Sequence, residues 1–181
     1  MFVRSLSLGV AAAALLVGGA QAADLIIPTT PIPIYEEAGF DWEGLYVGAR
    51  AGGQWFGDET YGVIGAAAGV NFVPVDPLLL GVEVTGDYIW AEDYHSGEFF
   101  ANIRAGAIVT DAVLVYALAG VGAYSDEFGT EGLYQLGGGV EFAVTDAITV
   151  RGEVVGQGFM DDTDDEFFDG AKATVGVFYH F

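Results

Sequence analysis

The chain has 181 residues, with 26 Asp and Glu against 5 Lys and Arg, and a formal net charge of -21. That balance argues against nucleic acid, whose phosphates need basic partners, and the absence of cysteine removes disulfides and thiolate metal sites. Only 17% of residues are charged while 52% are hydrophobic, with 28 glycines; this is neither an acidic disordered polymer nor the composition of an ordinary soluble domain.

Residues 1–22 read as a secretory signal. Arg4 is a short basic region, Leu6 to Val17 is apolar, and Ala20-Gln21-Ala22 is a small-x-small cleavage pattern. The apolar core is shorter than the roughly 20 residues that a spanning helix needs. The mature chain is expected to begin at Ala23. Residues 23–41 carry Pro28, Pro31 and Pro33, which cannot donate to a ladder and favour an extended course. They are expected to form a periplasmic arm outside the folded domain, which spans 42–181.

From Gly44 onward the period is two, not 3.6. The expected strands are 44–56, 61–73, 78–91, 98–109, 113–124, 133–144, 147–159 and 171–181. In six of them polar side chains share one parity and the other parity is apolar, while 61–73 offers only Asn71 and 113–124 no charge at all. Arg50 and Gln54 oppose Leu45, Val47 and Trp55; Glu83, Thr85 and Asp87 oppose Val82, Val84 and Tyr88. Asn102 and Arg104, Gln135 and Glu141, and Lys172, Thr174 and His180 repeat the pattern, as do Thr149, Arg151, Glu153 and Gln157. A soluble sandwich or lipocalin-like barrel also alternates, with its apolar face inward. Strand length near that of a tilted spanning strand, a polar parity rich in glycine and the export signal favour an all-β, eight-stranded antiparallel transmembrane β-barrel.

Three short connections, 73–77, 110–112 and 145–147, alternate with acidic segments around Asp58-Glu59, Glu92-Asp93, Asp126-Glu127 and 161–169. Short periplasmic turns and longer outer loops would place both mature termini in the periplasm. Trp42, Tyr46, Trp55, Tyr61, Phe72, Tyr88, Trp90, Phe159, Tyr179 and Phe181 lie near strand ends and are expected in two interfacial girdles. Val175, Val177, Tyr179 and terminal Phe181 alternate, and this end resembles the signature that barrel-assembly machinery reads.

The run Trp42-Glu43-Gly44-Leu45-Tyr46-Val47-Gly48-Ala49-Arg50-Ala51-Gly52 resembles the opening strand of the outer-membrane β-barrel family of porin-like, opacity and OmpA-transmembrane-like surface proteins. Tyr116-Ala117-Leu118-Ala119-Gly120-Val121-Gly122 and Arg151-Gly152-Glu153 are similar to its fifth and seventh strands. The resemblance covers about residues 42–181 and implies the fold. Its members have structural, adhesive, immune-exposed and occasionally haem-binding roles. Short loops and few basic residues set this chain apart from many of them.

Arg50, Arg104, Arg151 and Lys172, the four basic residues of the mature chain, all fall on the inward parity, with Glu83, Asp87, Glu141 and Glu153. An eight-stranded barrel has an interior just wide enough for side chains, so a lumenal ion-pair network that plugs it is expected, with a narrow selective pore as the other reading. Arg50, Glu83, Arg104, Glu141, Arg151 and Glu153 count to similar heights. His95-Ser96 beside Glu92 and Asp93 gives no forced nucleophile–base spacing, so no enzyme is expected, and His180 reads as structural. The run Asp161, Asp162, Asp164, Asp165, Glu166 and Asp169 lacks the EF-hand order and is either a solvated loop or a weak divalent-cation site. Phe167 and Phe168 are expected at the membrane interface. No cofactor is implied. The expected partners are outer-membrane lipids, lipopolysaccharide and the assembly machinery. The leading role is a structural surface protein contributing to envelope integrity, then a binding or adhesion module acting through acidic loops, then a narrow porin-type channel.

Overall fold

Eight antiparallel strands close on themselves in sequence order in the computed structural model, which describes residues 39–92, 94–125, 129–160 and 167–181. They are β1 (Gly44–Phe56), β2 (Glu59–Val75), β3 (Leu78–Ala91), β4 (Tyr94–Thr110), β5 (Val113–Ser125), β6 (Thr130–Ala143), β7 (Ile148–Phe159) and β8 (Gly170–His180). β1 pairs with both β2 and β8, so no strand edge is left open. The signal segment and most of the arm, residues 1–38, lie outside the described residues.

The two faces of the strands separate as the alternation predicts. Leu45, Ile64, Val82, Phe99, Ile103, Val121, Val154 and Val175 face outward and are exposed, while Arg50, Glu83, Arg104, Glu141 and Arg151 face inward and are buried. Such an exterior would be an aggregation surface in water, and its apolar continuity fits lipid. Strands of 11 to 17 residues exceed the roughly 9–11 needed to cross a bilayer, so their ends project beyond the apolar band.

The loop end differs from the sequence expectation. β2, β4 and β6 start at Glu59, Tyr94 and Thr130, earlier than their apolar alternation. The segment expected as an acidic loop around Asp58 is a two-residue hairpin connection with Gly57 at φ 57°, and the segment around Glu92 is confined between Ala91, the end of β3, and Tyr94, the start of β4. Ladder bonds at these polar rims need no apolar face, which is why hydrophobic periodicity does not reveal them. The connection from β7 to β8 is the long one.

The girdle assignment also needs correction. Trp55, Phe72, Tyr88, Trp90, Tyr179 and Phe181 are exposed on the outside, whereas Trp42 and Tyr46 are buried in the lumen. Tyr61 and Phe159 line its loop-end mouth. Tyr46 shares the parity of Arg50, and parity rather than nearness to a strand end decides which way a ring points. Gly39 to Asp41, read as the end of the arm, meet the barrel at its turn end. The Phe40 N–H donates to the Asp111 carbonyl at 3.2 Å, and its ring packs edge-on against Trp42 and His180 at 4.6 and 4.9 Å. Trp42 is the foot of an apolar cluster with Leu79, Leu114, Tyr116, Leu118 and Val155.

Trp42 therefore closes the turn end. Replacing Trp42 with Ala is expected to cost about 3–5 kcal/mol, the usual loss for a buried Trp, read as a lower urea midpoint for the folded barrel.

Candidate functional site in the lumen

An inward side chain on one strand and another two strands away point at each other over the intervening strand. Register decides which pairs meet. Arg50 is opposite Gly65, and Gly65 is opposite Asp87; Tyr46 is opposite Gly69, and Gly69 is opposite Glu83. A Cβ at Gly65 would collide with Asp87 Oδ1, and one at Gly69 with Tyr46 Oη. These glycines are the troughs through which the two pairs join.

The charges form two tiers. Nearer the turn end, Arg104 and Arg151 share Glu83 and Glu141. Arg151 donates to Glu83 Oε2 at 2.5 Å and, through Nε, to Glu141 Oε2 at 3.0 Å. Arg104 donates to Glu141 Oε2 at 3.1 Å and to the Tyr46 hydroxyl at 2.6 Å, which donates in turn to Glu83 Oε2 at 2.8 Å. Each guanidinium also rests on a ring face, Arg104 on Tyr116 at 3.9 Å and Arg151 on Phe178 at 3.7 Å. Cation–π contact thus adds to the ion pairs that hold these buried charges. Glu141 Oε1 accepts from the Thr149 hydroxyl at 2.6 Å and lies 3.1 Å from His180 Nε2.

Nearer the loop end, Arg50 grips Asp87 with two bonds, Nε to Oδ1 at 2.9 Å and Nη2 to Oδ2 at 2.6 Å. Lys172 donates to Asp87 Oδ2 at 2.8 Å and Glu98 Oε2 at 2.7 Å. Gln54 and Gln157 both donate to Glu98, at 2.6 and 3.1 Å. Glu153 links the tiers, accepting from Arg50 Nη1 at 3.1 Å and from the Tyr116 hydroxyl at 2.6 Å.

All eight residues expected in the network, Arg50, Glu83, Asp87, Arg104, Glu141, Arg151, Glu153 and Lys172, have buried ion-pair or hydrogen-bond partners here. They do not share one height, because the register offsets β1 from β3: the partner of Arg50 is Asp87, and Glu83 serves Tyr46 and the other arginines. Sequence reasoning left out Glu98, Tyr46 and Tyr116. Glu98 shares its parity with Asn102 and Arg104, which was the available signal. No sequence pattern marks a tyrosine as a bridge between charges.

Other expected sites resolve differently. Ser96 is buried inside, whereas its neighbour His95 is exposed with Nδ1 2.9 Å from the Tyr88 hydroxyl. Adjacent strand residues point to opposite faces, so these two make no nucleophile–base pair. Asp161, Asp162, Asp164, Asp165 and Glu166 lie outside the described residues. Asp169 is used structurally, accepting from the Phe159 N–H at 2.9 Å. Phe167 and Phe168 lie with Tyr134 in an aromatic cluster, and a Cβ at Gly156, on the outward parity of β7, would strike the Phe168 ring. Val175, Val177, Tyr179 and Phe181 are all exposed.

The β-barrel domain of OprF from Pseudomonas aeruginosa matches with a TM-score of 0.54 and 14% identity, covering 77% of this chain and 99% of that one. The chain has the fold of the small outer-membrane β-barrels. Neisserial surface protein A matches at a TM-score of 0.51 and 14% identity, covering 76% of this chain and 96% of that one. The Ail protein of Yersinia pestis in a bilayer nanodisc matches at 0.50 and 10%, covering 75% and 99%. No protein-family model and no curated protein matches the chain.

Glu141 holds two arginines. Replacing Glu141 with Leu is expected to cost about 3–5 kcal/mol, the penalty for stranding buried charge, measured by reversible unfolding in lipid vesicles. Gly69 to Val is expected to destabilise by displacing the Tyr46 ring, although position 69 carries no charge.

Proposed function

We propose that this chain is an integral outer-membrane protein whose lumen is plugged by its own side chains and whose role is structural, contributing to envelope integrity. The observation that carries this reading is the side-chain filling of the interior. The guanidiniums of Arg50, Arg104 and Arg151 each bridge carboxylates from other strands, and the side chains of these ion pairs are at most 5% exposed. Below them, toward the turn end, stands the packed cluster of Trp42, Leu79, Leu114, Tyr116, Leu118 and Val155. A water-filled channel needs a wider barrel, of about 16 strands. The apolar exterior and the likeness to outer-membrane barrels support placement in that membrane, with the turn end and the barrel's first and last strand ends toward the periplasm. The alternating, exposed apolar side chains of β8 suit recognition by assembly machinery.

A second reading, surface binding, is favoured by the distribution of charge. Among the described residues every Lys and Arg is buried in the lumen. Of the fifteen described acidic residues five are buried in the lumen, and the other ten, Glu131 at the mouth among them, are not buried. Contact with anionic lipopolysaccharide would then run through shared divalent cations, and binding through the acidic rim would select cationic partners.

The test is to compare unboiled and boiled outer-membrane fractions by gel, with single-channel recording of the purified barrel. A mobility shift without conductance, together with detergent sensitivity of a deletion strain, is the expected result. Ion flux that changes in Arg104 to Met would replace the plug with a pore, and recovery of the protein in the soluble periplasm would remove the membrane reading altogether.

A further inference from the structure

At the loop end, above the upper tier of charges, the lumen widens into a cup of about 370 Å³, within the usual range for small-molecule sites. Its walls are aromatic. Phe56 and Phe159 stand 5.9 Å apart and Tyr61 and Tyr94 5.3 Å apart, centroid to centroid. Its polar lining includes Gln54, Ser96 and Glu98, with Glu131 also facing it.

Two of those polar groups are unfinished. Ser96 Oγ and Gln54 Oε1 have no hydrogen-bond partner among the described residues, although the side chains are only 5% and 2% exposed. Buried polar atoms are ordinarily paired, because leaving them unpaired is costly. The orientation of the Gln54 amide is fixed chemically. Its nitrogen donates to a Glu98 carboxylate oxygen at 2.6 Å and to Gln157 Oε1 at 3.0 Å, neither of which can donate in return. Its oxygen is therefore left as an acceptor.

The surrounding chemistry narrows what can sit there. Gln54 donates to Glu98 and Gln157, Gln157 donates to Glu98, and Lys172 is held between Asp87 and Glu98, so a ligand that mainly accepts hydrogen bonds would draw on the Ser96 hydroxyl and not on these engaged groups. Glu98, Glu131 and the acidic rim repel anions. Acceptor oxygens and ring faces together suit a group that only donates and carries positive charge, which describes an ammonium.

We propose that the cup binds a small primary organic cation, with its ammonium on Ser96 Oγ and Gln54 Oε1 and its apolar body against the Phe56, Tyr61, Tyr94 and Phe159 rings. The site lies above the ion pairs, so it stands whether the lumen is plugged or conducting.

The experiment titrates the full folded barrel, in nanodiscs, with 2-phenylethylammonium chloride. The neutral isostere 2-phenylethanol and methyl glucoside serve as comparators, and the readout is the NMR signals of the Gln54 side-chain amide and the Ser96 amide. The expected result is a saturable shift with the ammonium and binding at least about tenfold weaker for the alcohol, the loss of a charged hydrogen bond. Ser96 to Ala is expected to weaken the ammonium about tenfold by the same reasoning. Phe159 to Leu, which keeps apolar bulk but removes a ring face, is expected to weaken it a few-fold. A retained heat-dependent gel shift identifies each variant as folded. Equal affinity for alcohol and ammonium, binding of the glucoside in place of the ammonium, absence of saturation, or an unchanged affinity in folded Ser96 to Ala would each overturn the proposal.

Discussion

A charge inside a closed eight-stranded ring is cut off from bulk water, so it must find its counter-charge across the lumen. Most of this interior follows from that constraint. Arg151 and Arg104 lie between Glu83 and Glu141, and like charges tolerate this closeness only because each carboxylate is shared. Removing one carboxylate leaves two cations short of a partner. The glycines on the inward parity belong to the same solution. A side chain at 65 or 69 would stand between the groups that need to meet, and the glycine content of the sequence is in part the space these pairs occupy.

Along the barrel axis the interior divides into three zones of different chemistry. The turn end is apolar, closed by Trp42 and Phe40. The middle is ionic, held in place by two-strand-apart pairing. The loop end is aromatic and open, lined by two buried oxygens without partners among the described residues. The first two zones are held by packed rings and by ion pairs shared between strands. The third keeps a space of about 370 Å³ among the described residues.

Charge distribution connects these zones to the outside. Every Lys and Arg among the described residues is used within the lumen, so none of them offsets the acidic groups outside it. The lumenal pairing thus sets the sign of the field at the mouth, and an acidic mouth concentrates cations near the cup. The apolar outer faces of β1 to β8 are independent of this balance. They depend only on which parity faces out.

That parity is legible in the sequence. Two-residue alternation by itself places Arg50, Glu83, Arg104, Glu141, Arg151 and Lys172 inside, because in an extended strand neighbouring side chains must point to opposite sides. Strand number and antiparallel order follow from the turn spacing. Partner identity is not legible. Arg50 meets Asp87 and not Glu83 because of the stagger between β1 and β3, and stagger is a property of ring closure, not of any one strand. The same holds for Tyr46, which parity puts inside but only register turns into a bridge from Arg104 to Glu83. Glu98, outside the expected network, shares the inward parity of Asn102 and Arg104, but only register brings it to Lys172 and the two glutamines. The sequence determined which side chains share the lumen, since that depends on local geometry repeated along each strand. Which of them touch, and where the unfilled cup lies, was decided only when eight strands closed with one particular shear.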